Sequence, residues 1–127
     1  MDYSGIKKGK YTNDDYPTYL ARYRASIAAT TFYPTLKYWE NPAAGCLTFM
    51  EITERNDGKY IGFKDNESAI FINENNYKEK FEEFLNDPDN TRWEEIATAG
   101  IIEKLAALLA AVKFIACLLY TSDAADE

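Results

Sequence analysis

Apolar positions along the chain follow two patterns, one typical of short buried strands and one typical of amphipathic helices. Runs of small, β-branched or apolar residues predict strands at residues 26–31, 46–51 and 69–72. The first of these carries no charge, which is typical of a strand buried on both faces. Helical spacing predicts helices at about residues 17–24, at 37–44, and along two inner faces: Tyr77, Phe81, Phe84 and Leu85, then Trp93, Ile96 and Ala97.

Residues that favour helix ends and turns separate these segments. Asp14 and Asp15 precede the first helix, Thr35 is the expected N-cap of the second, and Gly45 is its expected terminator. Residues 73–76 form a capping region, and Thr91 and Glu94 have the spacing of a capping box for the last helix. Turns are predicted at Asn56-Asp57-Gly58 and at Asn86-Asp87-Pro88.

The resulting order of helix, strand, helix, strand predicts an α/β fold with a Rossmann-like parallel sheet flanked by helices. The 127 residues fit one domain and cannot hold a two-domain enzyme. Their 46% hydrophobic and 15% aromatic content is sufficient for a real core.

Composition removes several classes of function. The chain has no His, which excludes Ser-His-Asp and Cys-His nucleophile systems and most zinc sites. The net charge is −7 and the basic cluster Lys7, Lys8 and Lys10 is small, so nucleic acid is not an expected partner. Cys46 and Cys117 form no disulfide framework, and the polar residues 1–5 are unlike a signal peptide, so we expect a cytoplasmic protein.

The loop at residues 30–37 is the segment best suited to hold a ligand. In an open parallel sheet, ligands bind beyond the carboxyl ends of the strands, where loops lead into helices. A helix start there offers backbone N–H groups to a diphosphate, and Lys37 adds a mobile positive charge. Glu40, one turn further, is suited to accept hydrogen bonds from two adjacent sugar hydroxyls.

Residues 37–46 (KYWENPAAGC) resemble the strand-helix-strand signature of group 1 glycosyltransferases of the GT-B fold, in the branch that includes spore-maturation-type proteins. The shared pattern is an aromatic or Lys-rich approach, a Glu, two small residues, a Gly and an apolar strand. The order of elements agrees through residues 62–72, 76–85 and 93–100, so the resemblance covers roughly residues 16–100.

This resemblance implies an incomplete C-terminal domain of a GT-B enzyme, which binds a nucleotide-diphosphate sugar for hexosyl transfer to an unknown acceptor. It places Glu40 on the donor ribose, with a donor-binding set of Glu40, Lys37, Thr30, Thr31 and Tyr38, although packing is the alternative role for Tyr38. Many relatives carry a second Glu where this chain has Phe32, so the resemblance does not extend to the sugar contacts of that Glu. The family implies no bound metal or cofactor, and places the acceptor site and catalytic base in a missing N-terminal domain.

The end of the chain reads differently from the rest. Residues 117–127 (CLLYTSDAADE) resemble the translation of a sequencing adapter, and we expect them to be an artefactual tail that was not selected to fold. Residues 101–116 predict a helix of uncertain origin, which Lys104 and Lys113 make unsuited to a transmembrane span. We therefore divide the chain into an N-terminal segment (1–15), a donor-binding domain (16–100), this helix and the tail.

Residue types alone leave other interpretations open. Asp87-Pro88-Asp89 resembles the metal-binding acidic pair of other glycosyltransferase folds, but its place between two helices favours a turn. Cys46 is expected in the core and not as a nucleophile. The alternative function is a non-catalytic α/β module that binds a protein or a saccharide through a tyrosine-rich surface, since a fold alone does not define a function.

Overall fold

Three parallel strands form the centre of the fold, in the order β1 (Ala25–Ala28), β2 (Leu47–Glu51) and β3 (Ile70–Ile72). The structure is a computed structural model that describes residues 15–125. Its helices are α1 (Tyr16–Leu20), α2 (Lys37–Ala43), α3 (Tyr77–Asn86) and α4 (Thr91–Ala125), and a short 3₁₀ helix spans Gly58–Tyr60. The protein is therefore an α/β domain with a Rossmann-like parallel sheet flanked by helices, as predicted.

Alternation along β2 divides the core between the two faces of the sheet. Leu47 and Phe49 pack on one face, and Met50 packs on the other. Neighbouring strands continue this division, because Phe49 is in register with Ile27 of β1 and Ile70 of β3. A buried central strand with helices on both faces is the arrangement expected of a parallel sheet.

The face with Phe49 is covered by α3 and α4. Phe81 and Phe84 of α3 meet the Phe49 ring edge to face, with centroids 5.0 and 6.0 Å apart. Trp93 of α4 packs on Phe84 at 5.6 Å and is only 4% exposed. Ile96 of α4 is buried in the same cluster, so the predicted inner faces of both helices are confirmed there.

The opposite face, with Met50, is covered by α2 and by the loop after β2. Tyr38 of α2 and Phe63 of that loop are buried beside Met50, and Ala28 and Ala69 complete the cluster. The small side chains in β1 and before β3 leave room for the large Tyr38 ring. This cluster fixes the face of α2 that is turned inward.

Two predictions about burial are wrong. The strand predicted at residues 26–31 spans only Ala25–Ala28. Its Ile27 was expected to be buried but is 52% exposed, because β1 is an edge strand with an apolar cavity of about 240 Å³ beside it. Leu85 was predicted on the inner face of its helix but is 69% exposed, because it lies in the last turn of α3 at the rim of that cavity.

Helix ends also differ from the sequence prediction in places. The first helix stops at Leu20, short of the predicted residue 24. The residue before α2 is Leu36, with no side-chain cap, so the N-cap role predicted for Thr35 is wrong. Asn90 rather than Thr91 caps α4, because its side-chain oxygen accepts the N–H of Arg92 at 3.0 Å.

Other predicted boundaries are confirmed. Gly45 ends α2 with φ +86, a backbone angle that favours glycine. The predicted region 73–76 forms a closed turn before α3, in which Asn73 donates its N–H to the side chain of Asn76 at 2.7 Å and accepts two N–H groups in return. Asp14 and the basic cluster at residues 7–10 lie outside the described residues, as do residues 126–127.

Helix α4 changes character along its length. Its first part packs tightly, and Gly100 is buried against the loop before β3. From Ile102 onward its large apolar side chains are mostly exposed up to Leu119. The helix runs unbroken across the boundaries predicted after residues 100 and 116, so these two boundaries stay a prediction. Its packing on the sheet ends near Ile101.

Candidate functional site

A cleft opens at the carboxyl end of β1, where the chain turns into α2. Its volume is about 540 Å³, within the range of roughly 300 to 1,000 Å³ usual for small-molecule sites. Its described lining consists of Tyr16, Ala29, Thr35, Leu36, Lys37 and Glu40. The cleft is open to solvent and lies at the sheet edge where ligands of parallel α/β folds bind.

Helical geometry brings the two charged residues of the cleft together. Lys37 and Glu40 are three positions apart in α2, so they are neighbours on one helix face. Lys37 is exposed and Glu40 is partly buried. Within residues 15–125 the ion pairs join other side chains, Arg24 with Asp89 and Arg92 with Glu83, so both cleft charges are available to a ligand.

The opposite face of α2 anchors the helix to the sheet. The Tyr38 side chain is fully buried, and its hydroxyl donates a hydrogen bond of 2.8 Å to the carbonyl oxygen of Glu51 at the end of β2. Burial, together with the Glu51 carboxylate, raises the pKa of Tyr38 to about 12. Asn41, also buried, donates to the carbonyl oxygen of Ile27 at 3.4 Å.

The backbone of α2 offers less to an anion than its position suggests. The helix has seven residues, and three of its first N–H groups already donate at 2.8–3.0 Å: those of Tyr38, Trp39 and Glu40, to the carbonyl oxygens of Thr35 and Leu36. The expectation that several free amides of this helix face a diphosphate is therefore wrong. The ammonium group of Lys37 is the stronger attraction for an anion.

The predicted donor-binding residues do not all lie in the cleft. Lys37 and Glu40 line it together. Thr30 and Thr31 lie in the loop after β1 but are not among the described lining residues, and Thr31 is exposed. Assigning Tyr38 to donor binding is wrong, because this side chain is sealed in the core, and the alternative role of packing is the one observed.

Other lining residues were not among the predicted donor-binding residues, although two of them lie in the predicted loop at residues 30–37. Thr35 and Leu36 line the cleft, and Leu36 is 71% exposed. Tyr16 reaches the same cleft from α1. The sequence signal for the place of Tyr16 in the cleft is its position at the start of the helix before β1. If α1 runs antiparallel to β1, the first residue of the helix lies near the carboxyl end of the strand.

Two other candidates for chemistry are structural. Cys46 is buried, its thiol donates to the carbonyl oxygen of Leu20 at 3.2 Å, and burial raises its pKa, so it is an unreactive core residue as predicted. The Asp87–Asp89 segment is a turn, closed by a bond from the N–H of Asn90 to the carbonyl of Asp87. Among residues 15–125, no three Cys, Asp or Glu side chains cluster as metal ligands would.

Comparison with known proteins gives no match: no family model fits the chain, and no curated protein or solved structure resembles it significantly. In the part of the chain that the structure describes, none of the helices has both the length and the apolar character needed to cross a bilayer.

Proposed function

We propose that this chain is the donor-binding part of a glycosyltransferase and that the cleft at the start of α2 receives a nucleotide-diphosphate sugar. The observation that carries the proposal is that Lys37 and Glu40 line one cleft of about 540 Å³ at the carboxyl end of β1. The resemblance of residues 37–46 to group 1 glycosyltransferases supports it.

The two charges suit different parts of such a ligand. Ionised Glu40 accepts hydrogen bonds only, and its two oxygens match the adjacent hydroxyls of a ribose. Lys37 is a mobile point charge that suits a diphosphate. Because the residues are one helical turn apart, a nucleotide can contact both with its ribose and its phosphates, which are neighbouring groups.

The rest of the cleft limits what it can do alone. Apart from Lys37 and Glu40, which the proposal assigns to the donor, the described walls offer the hydroxyl of Thr35 and the apolar side chain of Leu36. Transfer requires an acceptor held against the donor sugar, and such positioning supplies a large part of catalysis. We therefore expect the isolated chain to bind a donor without transferring it; measurable sugar transfer by the isolated chain would contradict this.

Titration of the purified chain with UDP and with GDP tests the proposal. We expect saturable heat on titration calorimetry with at least one of the two, and loss of that binding in Glu40→Ala. The matched control is Glu82→Ala, which removes an exposed carboxylate from α3, the helix on the opposite face of the sheet. Equal binding by Glu40→Ala and Glu82→Ala would rule out the role given to Glu40.

A second candidate function rests on exposed aromatic residues next to the cleft. In the loop between β1 and α2, Phe32 is 64% and Tyr33 76% exposed, beside Leu36. Several large exposed apolar side chains within one loop are typical of surfaces that bind a protein or a saccharide. A folded sample that binds neither nucleotide at millimolar concentration would favour this non-catalytic module.

A further inference from the structure

Asn56 is a completely buried polar residue in the loop after β2. Burying an amide without partners costs about 1–3 kcal/mol, so such a residue is stable in a loop only if its hydrogen bonds are satisfied. Its side-chain oxygen accepts the N–H of Thr53 at 3.1 Å and the N–H of Gly58 at 2.9 Å. The amide oxygen therefore holds both sides of the turn in which it lies.

The side-chain nitrogen of Asn56 points to three other segments. It donates to the carbonyl oxygen of Glu51, the last residue of β2, at 2.6 Å. The hydroxyl of Tyr38 and the carbonyl oxygen of Thr30 lie 3.4 and 3.5 Å away. An amide has two N–H hydrogens, so the second is shared between α2 and the loop after β1. One side chain thus connects all three segments behind the cleft.

The loop is shaped closely around this amide. Asp57 has φ 52, a left-handed conformation, and Gly58 follows it. A Cβ on Gly58 would lie 2.6 Å from the Ile52 side chain and 3.0 Å from the Asn56 oxygen. A side chain at position 58 would require the Ile52 side chain and the Asn56 amide to move, so the turn fits closely around the buried amide.

The orientation of α2 depends on these contacts more than on the helix itself. Seven residues form a marginal helix, and its stability comes from packing. Lys37 and Glu40 flank Tyr38 in sequence, so the direction of the Tyr38 ring sets the direction of both charges. The second anchor, Asn41, donates to Ile27 at 3.4 Å, against 2.8 Å for the bond from Tyr38 to Glu51, and its side-chain oxygen has no partner among the described residues.

We propose that Asn56 is a positioning residue for the cleft: through Glu51 and Tyr38 it holds α2 in the orientation that turns Lys37 and Glu40 toward a ligand. The part of this inference that concerns ligand affinity rests on the proposed function. The part that concerns the orientation of α2 does not, because the hydrogen bonds exist without a ligand.

Two measurements on Asn56→Ala in the full chain test the proposal. The first is amide hydrogen exchange of α2 without ligand, and the second is the affinity for UDP and GDP. The control is Ser68→Ala, which removes another buried hydrogen-bonding side chain, an acceptor for the N–H of Lys64 at 2.8 Å in the loop before β3. This loop does not line the cleft.

We expect Asn56→Ala to speed exchange in α2 by about tenfold or more beyond its effect on the whole protein, and to weaken nucleotide binding by a similar factor. Ser68→Ala should lower global stability without either effect. Combining Asn56→Ala with Tyr38→Phe should change α2 exchange less than the sum of the two single variants, because both remove the same anchor.

The outcomes separate this inference from the proposed function. Unchanged α2 exchange in folded Asn56→Ala, relative to Ser68→Ala, overturns the inference whatever the nucleotide results are. Faster α2 exchange in a chain that binds neither nucleotide supports the positioning of α2 and refutes the proposed function. If Asn56→Ala does not fold, Asn56→Asp takes its place in both measurements, with the same results deciding, because it keeps the oxygen that accepts from Thr53 and Gly58 and removes the donor to Glu51 and Tyr38.

Discussion

Gly100 lies where α4 crosses the loop before β3. Its replacement by alanine has two opposing effects on stability, a gain in helix propensity and a steric overlap with the loop. In a helix interior, alanine is ordinarily more stable than glycine by roughly 0.5–1 kcal/mol. Here the new Cβ would lie 2.8 Å from the backbone carbonyl oxygen of Ser68 and 3.4 Å from the Cβ of Pro42. A backbone oxygen cannot rotate away, so α4 or the loop must shift.

Overpacking of this kind costs about 1–3 kcal/mol, which exceeds the gain in helix propensity. We therefore expect Gly100→Ala to lower the free energy of unfolding by roughly 1 kcal/mol. Urea denaturation followed by tryptophan fluorescence measures it. Thr98→Ala, at an exposed position of the same helix, is the control and should be neutral or stabilising. A Gly100→Ala variant as stable as this control would refute the close approach of α4 to the loop.

Two further predictions concern buried side chains. The indole N–H of Trp93 donates to the carbonyl oxygen of Asp87 at 2.7 Å, so Trp93→Phe should cost about 1–3 kcal/mol in urea denaturation; a loss below about 0.5 kcal/mol would contradict that bond. The pKa of Tyr38 is raised from 10.0 to about 12, so the folded state holds this proton more tightly than the unfolded state. Stability from this group is complete below pH 10 and is lost as the pH rises toward about 12. Denaturation across this range should show a shallower decline in Tyr38→Phe than in the parent chain, and equal slopes would contradict the shift.

The elements themselves could be predicted because local sequence determines them. Short runs of strand-forming residues predicted β2 and β3 nearly to the residue, and Gly45 ended α2 as its backbone freedom suggests. The exposure of Ile27 in β1 could not be predicted, because the local sequence is the same whether its strand is central or at the edge of the sheet. Strand order is a long-range property that a local pattern does not contain.

The same limit applies to the cleft. Lys37 and Glu40 could be paired from helical spacing and from the rule that ligands bind at strand ends. The inward direction of Tyr38 and the place of Asn56 could not, because they depend on a hydrogen bond across 18 positions of sequence. A turn was predicted at Asn56 from its neighbours, but the pattern Asn-Asp-Gly does not tell whether the first side chain faces water or the core.

The central claim is that the carboxylate of Glu40 holds ribose hydroxyls. A comparison of the affinities for UDP and 2′-deoxy-UDP tests it most directly. If GDP is the ligand that binds, GDP and 2′-deoxy-GDP are compared instead. A hydrogen bond to a charged group contributes about 1.5–3 kcal/mol, so the ribonucleotide should bind roughly ten to a hundred times more tightly. Glu40→Gln should reduce this preference to a few-fold at most while Glu82→Ala retains it. A preference that is missing from the parent chain, or that survives in Glu40→Gln, would contradict the claim.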